Sequence, residues 1–264
     1  LAGAVGLAAV SFFGPSVLVP AKGEGEAAGV AAVAVNPFDF ARRTVLLNNG
    51  IEMPVLGLGT FGLSNEQAEN SAYWALKAGH RLIDTASAYN NEAAVGRGIK
   101  RAIEEGIVTR EEIFVTTKLW PMGGYNAGGI DAALEKLGLE YIDLLLLHQP
   151  MGDYIGGYKA MEEAVAAGKL RAIGISNFSA AQIEEIMAVA TIKPAVQQVE
   201  THLYNQQGTM MEYISNYGTV LESWFPLGGR GNAHTFLELP EVQEIASAHG
   251  KLPVHCLLYT SDAA

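Results

Sequence analysis

From Thr44 onward, short runs rich in Val, Ile and Leu alternate with longer stretches in which apolar residues return every three or four positions. These are the period-2 and period-3.6 signatures of strand and helix. Residues 44–47 and 51–54 flank Asn48-Asn49-Gly50, and Asn-Gly between two apolar runs predicts a hairpin. Core strands follow at 55–60, 81–84, 113–118, 142–148, 172–176, 195–200 and 219–223, with helices at 65–78, 91–105, 130–137, 158–167, 180–190, 207–215 and 239–249. Ser64, Thr109 and Ser179 stand where N-caps belong, and Gly79, Gly138 and Gly168 where C-caps belong. Leu144 to Leu147 is apolar at every position, as in a strand covered on both faces by helices.

Seven strand–helix units with nothing antiparallel after the hairpin fit two architectures, an open doubly wound sheet or a (βα)8 barrel. The strand ends at Asp84, Lys118, His148, Asn177 and Glu200 are 34, 30, 29 and 23 residues apart. Such a near-constant period is that of one unit repeated. The expectation is an α/β fold, a (βα)8 TIM barrel with an N-terminal β-hairpin, lacking its eighth strand–helix unit. Gly57-Leu58-Gly59-Thr60-Phe61-Gly62 also fits the dinucleotide fingerprint G-x-G-x-x-G. However, Ser64 places the helix start after the last glycine instead of within the motif, which argues against a Rossmann reading.

Both ends break this pattern. Residues 1–20 are apolar and uncharged, interrupted by Gly14-Pro15 and Pro20, and a small-residue stretch at 27–35 follows Lys22 to Glu26, so 1–36 read as the core and cleavage region of an export signal rather than a membrane span. Their wording resembles the part that follows a twin-arginine pair, so a periplasmic destination is expected, with the cytoplasm as the alternative. Residues 44–255 form the barrel. Residues 256–264 resemble the translation of a sequencing-library adapter and are expected to be a non-native tail carrying no chemistry.

Charge and cysteine content narrow the function. Seventeen Lys and Arg against 28 Asp and Glu give a net charge of −11, which argues against nucleic acid as a partner. A single Cys excludes a disulfide framework and multi-thiolate metal sites. The polar residues concentrate at strand ends, where a (βα)8 barrel gathers its reacting groups. Asp84, Lys118 and His148 each end a strand, and Tyr89 follows Asp84 on the adjacent loop. Asn177, Gln198 and Trp224 recur at the later strand ends. His202, two residues past Glu200, has too few companions for a metal site and reads as structural.

At these residues the chain resembles the aldo-keto reductases. The matching segments include 84–92, 96–100, Thr117-Lys118-Leu119-Trp120-Pro121, His148-Gln149-Pro150, Gly174-Ile175-Ser176-Asn177-Phe178, Gln198-Val199-Glu200 and Pro226-Leu227-Gly228, over about residues 44–253. The wording from Trp224 to Arg230 is most similar to the bacterial branch that includes the 2,5-diketo-D-gluconate reductases. The resemblance implies NADPH-dependent reduction of a small carbonyl substrate, with NADH possible, by a monomer. Tyr89 would give the proton, Lys118 would lower the phenol's pKa, Asp84 would keep Lys118 charged, and His148 would orient the carbonyl. Ser176, Asn177 and Gln198 would hold the carboxamide, Trp224 would stack on the nicotinamide, Leu227 and Gly228 would approach the pyrophosphate, Thr60 the ribose, and Trp120 would wall the substrate pocket. The family's 2′-phosphate ligands belong to the eighth unit, so weak NADPH binding is expected of these residues alone. The alternatives are a nucleotide-sensing or non-catalytic binding protein on the same barrel, or an inactive fragment.

Overall fold

The computed structural model describes residues 8–13 (as backbone), 37–39, 41–229 and 231–259. Its centre is a closed barrel of eight strands. Seven are parallel and consecutive: β5 (Gly57–Gly59), β6 (Leu82–Asp84), β7 (Phe114–Leu119), β8 (Ile142–Leu147), β9 (Leu170–Ser176), β10 (Val196–Glu200) and β11 (Val220–Trp224). The eighth is β1 (Ala8–Phe13), inserted antiparallel between β11 and β5, with Phe12 opposite Glu222 and Ala9 opposite Leu58.

This strand departs from the expectation that residues 1–36 stand apart from the barrel. The uncharged, mostly apolar run that reads as a leader also suits a closing strand, and the rims of β5 and β11 supply it with partners. The other residues of the expected export signal, and 260–264 of the expected tail, lie outside the described residues. The helix Pro253–Tyr259 crosses the boundary placed between 255 and 256. Its Cys256 and Leu257 are buried against Phe236, Val242 and Ala246.

A separate three-stranded sheet, β2 (Phe38–Asp39), β3 (Thr44–Leu46) and β4 (Glu52–Pro54), includes the expected hairpin around Gly50. It plugs one end of the barrel. Val45, Leu47 and Met53 pack against Leu82, Phe114, Leu144, Leu146, Ala172, Val196 and Val220, the inward positions of successive strands. Alternate residues of the same strands, among them Ile83, Val115, Leu145, Leu147, Ile173 and Leu221, face the helices and join a second core. Parity along each strand therefore decides which core a residue enters.

The helices form where the pattern places them. Ser64 accepts from Gln67 N while the Gln67 side chain accepts from Ser64 N, a capping box that starts the helix Asn65–Lys77. A second such box at Ser179 starts Ala180–Met187. Gly138, at φ +65°, ends Ala127–Leu137. Gly57, part of the apparent dinucleotide fingerprint, has a packing reason to be glycine: a Cβ there would lie 2.5 Å from Leu82 Cγ.

Candidate active site

Continuing the inward parity of each strand toward its carboxyl end turns apolar positions into polar ones. Leu82 is followed two residues on by Asp84, Phe114 by Thr116 and then Lys118, Leu146 by His148, and Val196 by Gln198. Thr117, of the opposite parity, instead donates to Glu92 Oε1 in the helix Glu92–Glu104 at 2.7 Å. The hairpin closes the other end, so these side chains converge on one open mouth. A cavity of about 950 Å³ occupies it, lined by Asp84, Tyr89, Trp120, His148, Ser176, Asn177, Gln198 and Trp224 among others.

Lys118 is the centre of the arrangement. It is 1 % exposed, and its Nζ donates to Asp84 Oδ1 at 2.6 Å, to the Thr85 carbonyl at 2.9 Å and to the Tyr89 hydroxyl at 3.4 Å. Burial alone would drive Lys118 toward its neutral form, but Asp84, Tyr89 and Glu222 together hold its pKa above the ordinary lysine value. Gln198 Nε2 donates to the second Asp84 oxygen at 3.0 Å, which fixes the carboxylate from both sides. Tyr89 ends a short 3₁₀ turn, Ser87–Tyr89, and Ser87 Oγ donates to the Lys118 carbonyl at 2.9 Å, tying that turn to β7.

The Tyr89 phenol differs in one respect from expectation. Lys118 does pull its pKa down, but burial outweighs that pull and Asp84 adds to burial, so the net direction is upward. His148 stands edge-on to Tyr89, ring centroids 5.7 Å apart, and edge-on to Trp120 at 5.2 Å. Burial and the Lys118 charge push its imidazole pKa down to about 3, so it is neutral across the physiological range. Its Nδ1 is buried without a hydrogen-bond partner among the described residues.

Asn177 adopts φ +66° after β9 and is held on three sides. Its Nδ2 donates to the His148 carbonyl at 3.2 Å and to Ser176 Oγ at 3.1 Å, and its Oδ1 accepts from Trp224 Nε1 at 3.0 Å. The Trp224 indole is thereby fixed as one wall of the mouth. Phe61 and Phe225 complete an aromatic rim: Phe61 lies 5.1 Å from Tyr89 and 6.0 Å from Phe225. Sequence reasoning assigned neither a role at the site, and their only signal is a position one residue past Thr60 and one past Trp224.

Three expected cofactor residues lie outside the lining. Thr60 is fully buried; its N–H and hydroxyl both donate to the Asp84 carbonyl, and the Thr60 carbonyl accepts from Asn91 Nδ2. Leu227 and Gly228 pack instead on Phe236, and a Cβ on Gly228 (φ +85°) would lie 2.4 Å from Phe236 Cε2.

The residue sequence reasoning missed altogether is Glu222. It is fully buried, of inward parity between Val220 and Trp224, and neither carboxyl oxygen has a hydrogen-bond partner among the described residues. Burial first, and then the charge of Asp84, push its pKa up to about 8 against the opposing pulls of Lys118 and of the nearby Gln198 carboxamide. An acidic residue between two inward apolar positions was the available signal.

Comparison with known proteins decides what this mouth belongs to. The profile of the Aldo/keto reductase family matches residues 55–249. The chain belongs to the aldo/keto reductase family. Among curated relatives, this aldo/keto reductase is 42% identical to an aldo-keto reductase of Mycobacterium sp. (strain MCS), over 89% of this chain and 78% of that one. It is 38% identical to the NAD(P)H-dependent D-xylose reductase I,II of Candida tropicalis, over 81% and 79% of the two chains. A crystal structure of the Bombyx mori aldo-keto reductase in complex with NADP superposes with a TM-score of 0.75 at 33% identity, covering 81% of this chain and 78% of that one. The family assignment makes the chain an oxidoreductase. Among the described residues, no helix is long and apolar enough to cross a membrane.

Proposed function

We propose that this aldo/keto reductase reduces aldehydes or ketones to alcohols with NAD(P)H, and that Tyr89 delivers the proton. The observation that carries the reading is the buried Lys118 ammonium, in contact with Asp84 at 2.6 Å and the Tyr89 hydroxyl at 3.4 Å at the wall of the mouth. The donor set suits a nicotinamide. Trp224 offers a fixed π-face, and Ser176, Asn177 and Gln198 offer hydroxyl and carboxamide groups on the adjoining wall. When bound there, the reduced nicotinamide supplies the hydride to the carbonyl carbon.

The rest of the chemistry belongs to the chain. Burial keeps Tyr89 protonated near neutrality, the state a proton donor needs. As the carbonyl oxygen gains negative charge, the Tyr89 O–H passes its proton to it, and the phenolate left behind faces the Lys118 ammonium. Asp84 keeps that ammonium charged in a site that would otherwise strip its proton. His148, neutral, can donate an N–H to the same oxygen without placing a second positive charge beside Lys118. Trp120, Phe61 and Phe225 shield the reacting centre from water with apolar surface.

The test is NADPH-dependent turnover of an aldehyde panel by the protein and by Tyr89→Phe. Turnover that disappears in the variant supports the reading, and turnover that persists at the original rate overturns the role of Tyr89.

A further inference from the structure

We propose that Glu222, buried in the same interior as the Lys118–Asp84 pair, is a positioning residue that governs proton transfer at Tyr89 through the charge of Lys118. The proposal rests on Tyr89 as the proton donor and extends that reading to its regulation.

Glu222 points into the barrel from β11, level with Gln198 of β10 in the strand register. Gln198 in turn holds Asp84, and Asp84 holds Lys118. The charged and titratable groups that act on Glu222 come from three places: Asp84 on β6, Lys118 on β7 and Tyr89 on the loop after β6. From β10 it faces Gln198, while the Glu200 carboxylate at that strand's end meets His202 at 3.4 Å. On its other side stands β1, whose sequence AAVSFF carries no ionisable side chain. Among the described residues, the groups that act on one another here are thus two carboxyls and one ammonium beside the Tyr89 phenol.

Asp84 accepts from two donors, Lys118 at 2.6 Å and Gln198 at 3.0 Å, whereas Glu222, among the described residues, meets no cation and has only the Gln198 carboxamide opposite it in the strand register. Two carboxyl groups buried near one ammonium interact unfavourably when both are ionised, so one of them is pushed toward its protonated form. The stable assignment near neutrality is therefore ionised Asp84, charged Lys118 and protonated Glu222. When Glu222 loses its proton, its negative charge reaches both neighbours and raises the pKa of Lys118 and of Tyr89. The phenolate becomes harder to form. Glu222 thus adjusts how readily Tyr89 changes protonation state without touching substrate or cofactor.

The experiment has two readouts. In carboxyl-labelled [13Cδ]glutamate protein, the resonance lost in Glu222→Gln is expected to titrate well above the other glutamates. Titration in the ordinary carboxylate range overturns the proposal. This measurement needs no cofactor or turnover, so it stands apart from the role of Tyr89. The second readout is the pH profile of alcohol oxidation, which needs the Tyr89 phenolate. Glu222→Gln, and Glu222→Met if the first variant does not fold, are expected to move the alkaline rise of kcat to lower pH by about one unit, the size of effect a nearby charge exerts. Their carbonyl KM at neutral pH should stay unchanged. A merely structural role would lower Tm and leave the profile in place, and superimposable profiles refute the proposal. Loss of Tyr89→Phe activity together with an unmoved Glu222→Gln profile would sink this inference and leave the proposed function standing.

Discussion

The two ends of the barrel are built from the same strands at the same parity, yet they do opposite things. At the hairpin end the inward positions are Leu82, Leu144, Ala172, Val196 and Val220, sealed by Val45 and Met53. At the mouth they are Asp84, Lys118, His148, Gln198 and Trp224, around a cavity. Burying an apolar side chain at the plugged end stabilises the fold by about 1.5–3 kcal/mol. A buried ammonium at the mouth costs several kcal/mol before its partners offset it. The difference teaches that an apolar floor supplies the stability with which one molecule can hold a cluster of desolvated charges.

The sharpest break between the ends is Tyr89→Phe. It should lower the kcat of carbonyl reduction by about 10²–10⁴-fold, the range for losing a positioned proton donor, with Tm unchanged. Steady-state kinetics and a thermal melt on one preparation check both halves. The converse is Met53→Ala, fully buried in the plug. It should cost about 2–5 kcal/mol of stability in a denaturant titration and leave kcat/KM of the folded protein intact. A change in kcat/KM at that residue would erase the division between the two ends.

A smaller effect separates the ends by pH. The folded His148 pKa lies near 3, below the value of about 6.5 for an unfolded histidine, so the unfolded chain binds the extra proton between those limits. The stability linked to His148 is whole above pH 6.5 and is lost as pH falls toward 3. Replacing it in His148→Asn should flatten the fall of Tm across that window, and a slope equal to the wild type would contradict the burial argument. The smallest effect lies outside both ends, at the helix cap. Ser64→Ala removes one side of a capping box and should cost about 1 kcal/mol with no change in activity, measured in the same titration.

Much of this contrast was legible in the sequence. Strands and helices could be read because each buries a regular face, and Leu144 to Leu147 announced a strand covered on both sides. The meeting of Asp84, Tyr89, Lys118 and His148 at the mouth was legible because three of them end successive strands and all four lie in segments that match a family's wording. What stayed hidden depends on partners distant in sequence. Thr60 stays away from the cavity because Asp84 and Asn91 claim its hydrogen bonds, and nothing adjacent to it signals that. The upward direction of the Tyr89 pKa comes from burial, which a list of neighbouring charges omits. Glu222 sits in a short strand whose facing could be told only once Val220 was known to join the floor. β1 was hidden because an apolar run of small residues has the composition of a leader and of a barrel strand alike, and local pattern does not encode its direction.

The antiparallel closure also bears on the order of folding. Phe12 pairs with Glu222 across 210 positions of chain, whereas each parallel neighbour pair joins segments a few tens of residues apart. Contacts of such separation demand a long loop closure and form slowly. The seam between β1 and β11 is therefore expected to be the slowest strand pairing of the barrel to form. Until then Glu222 stands on an open edge beside water, where an ionised carboxyl is no burden.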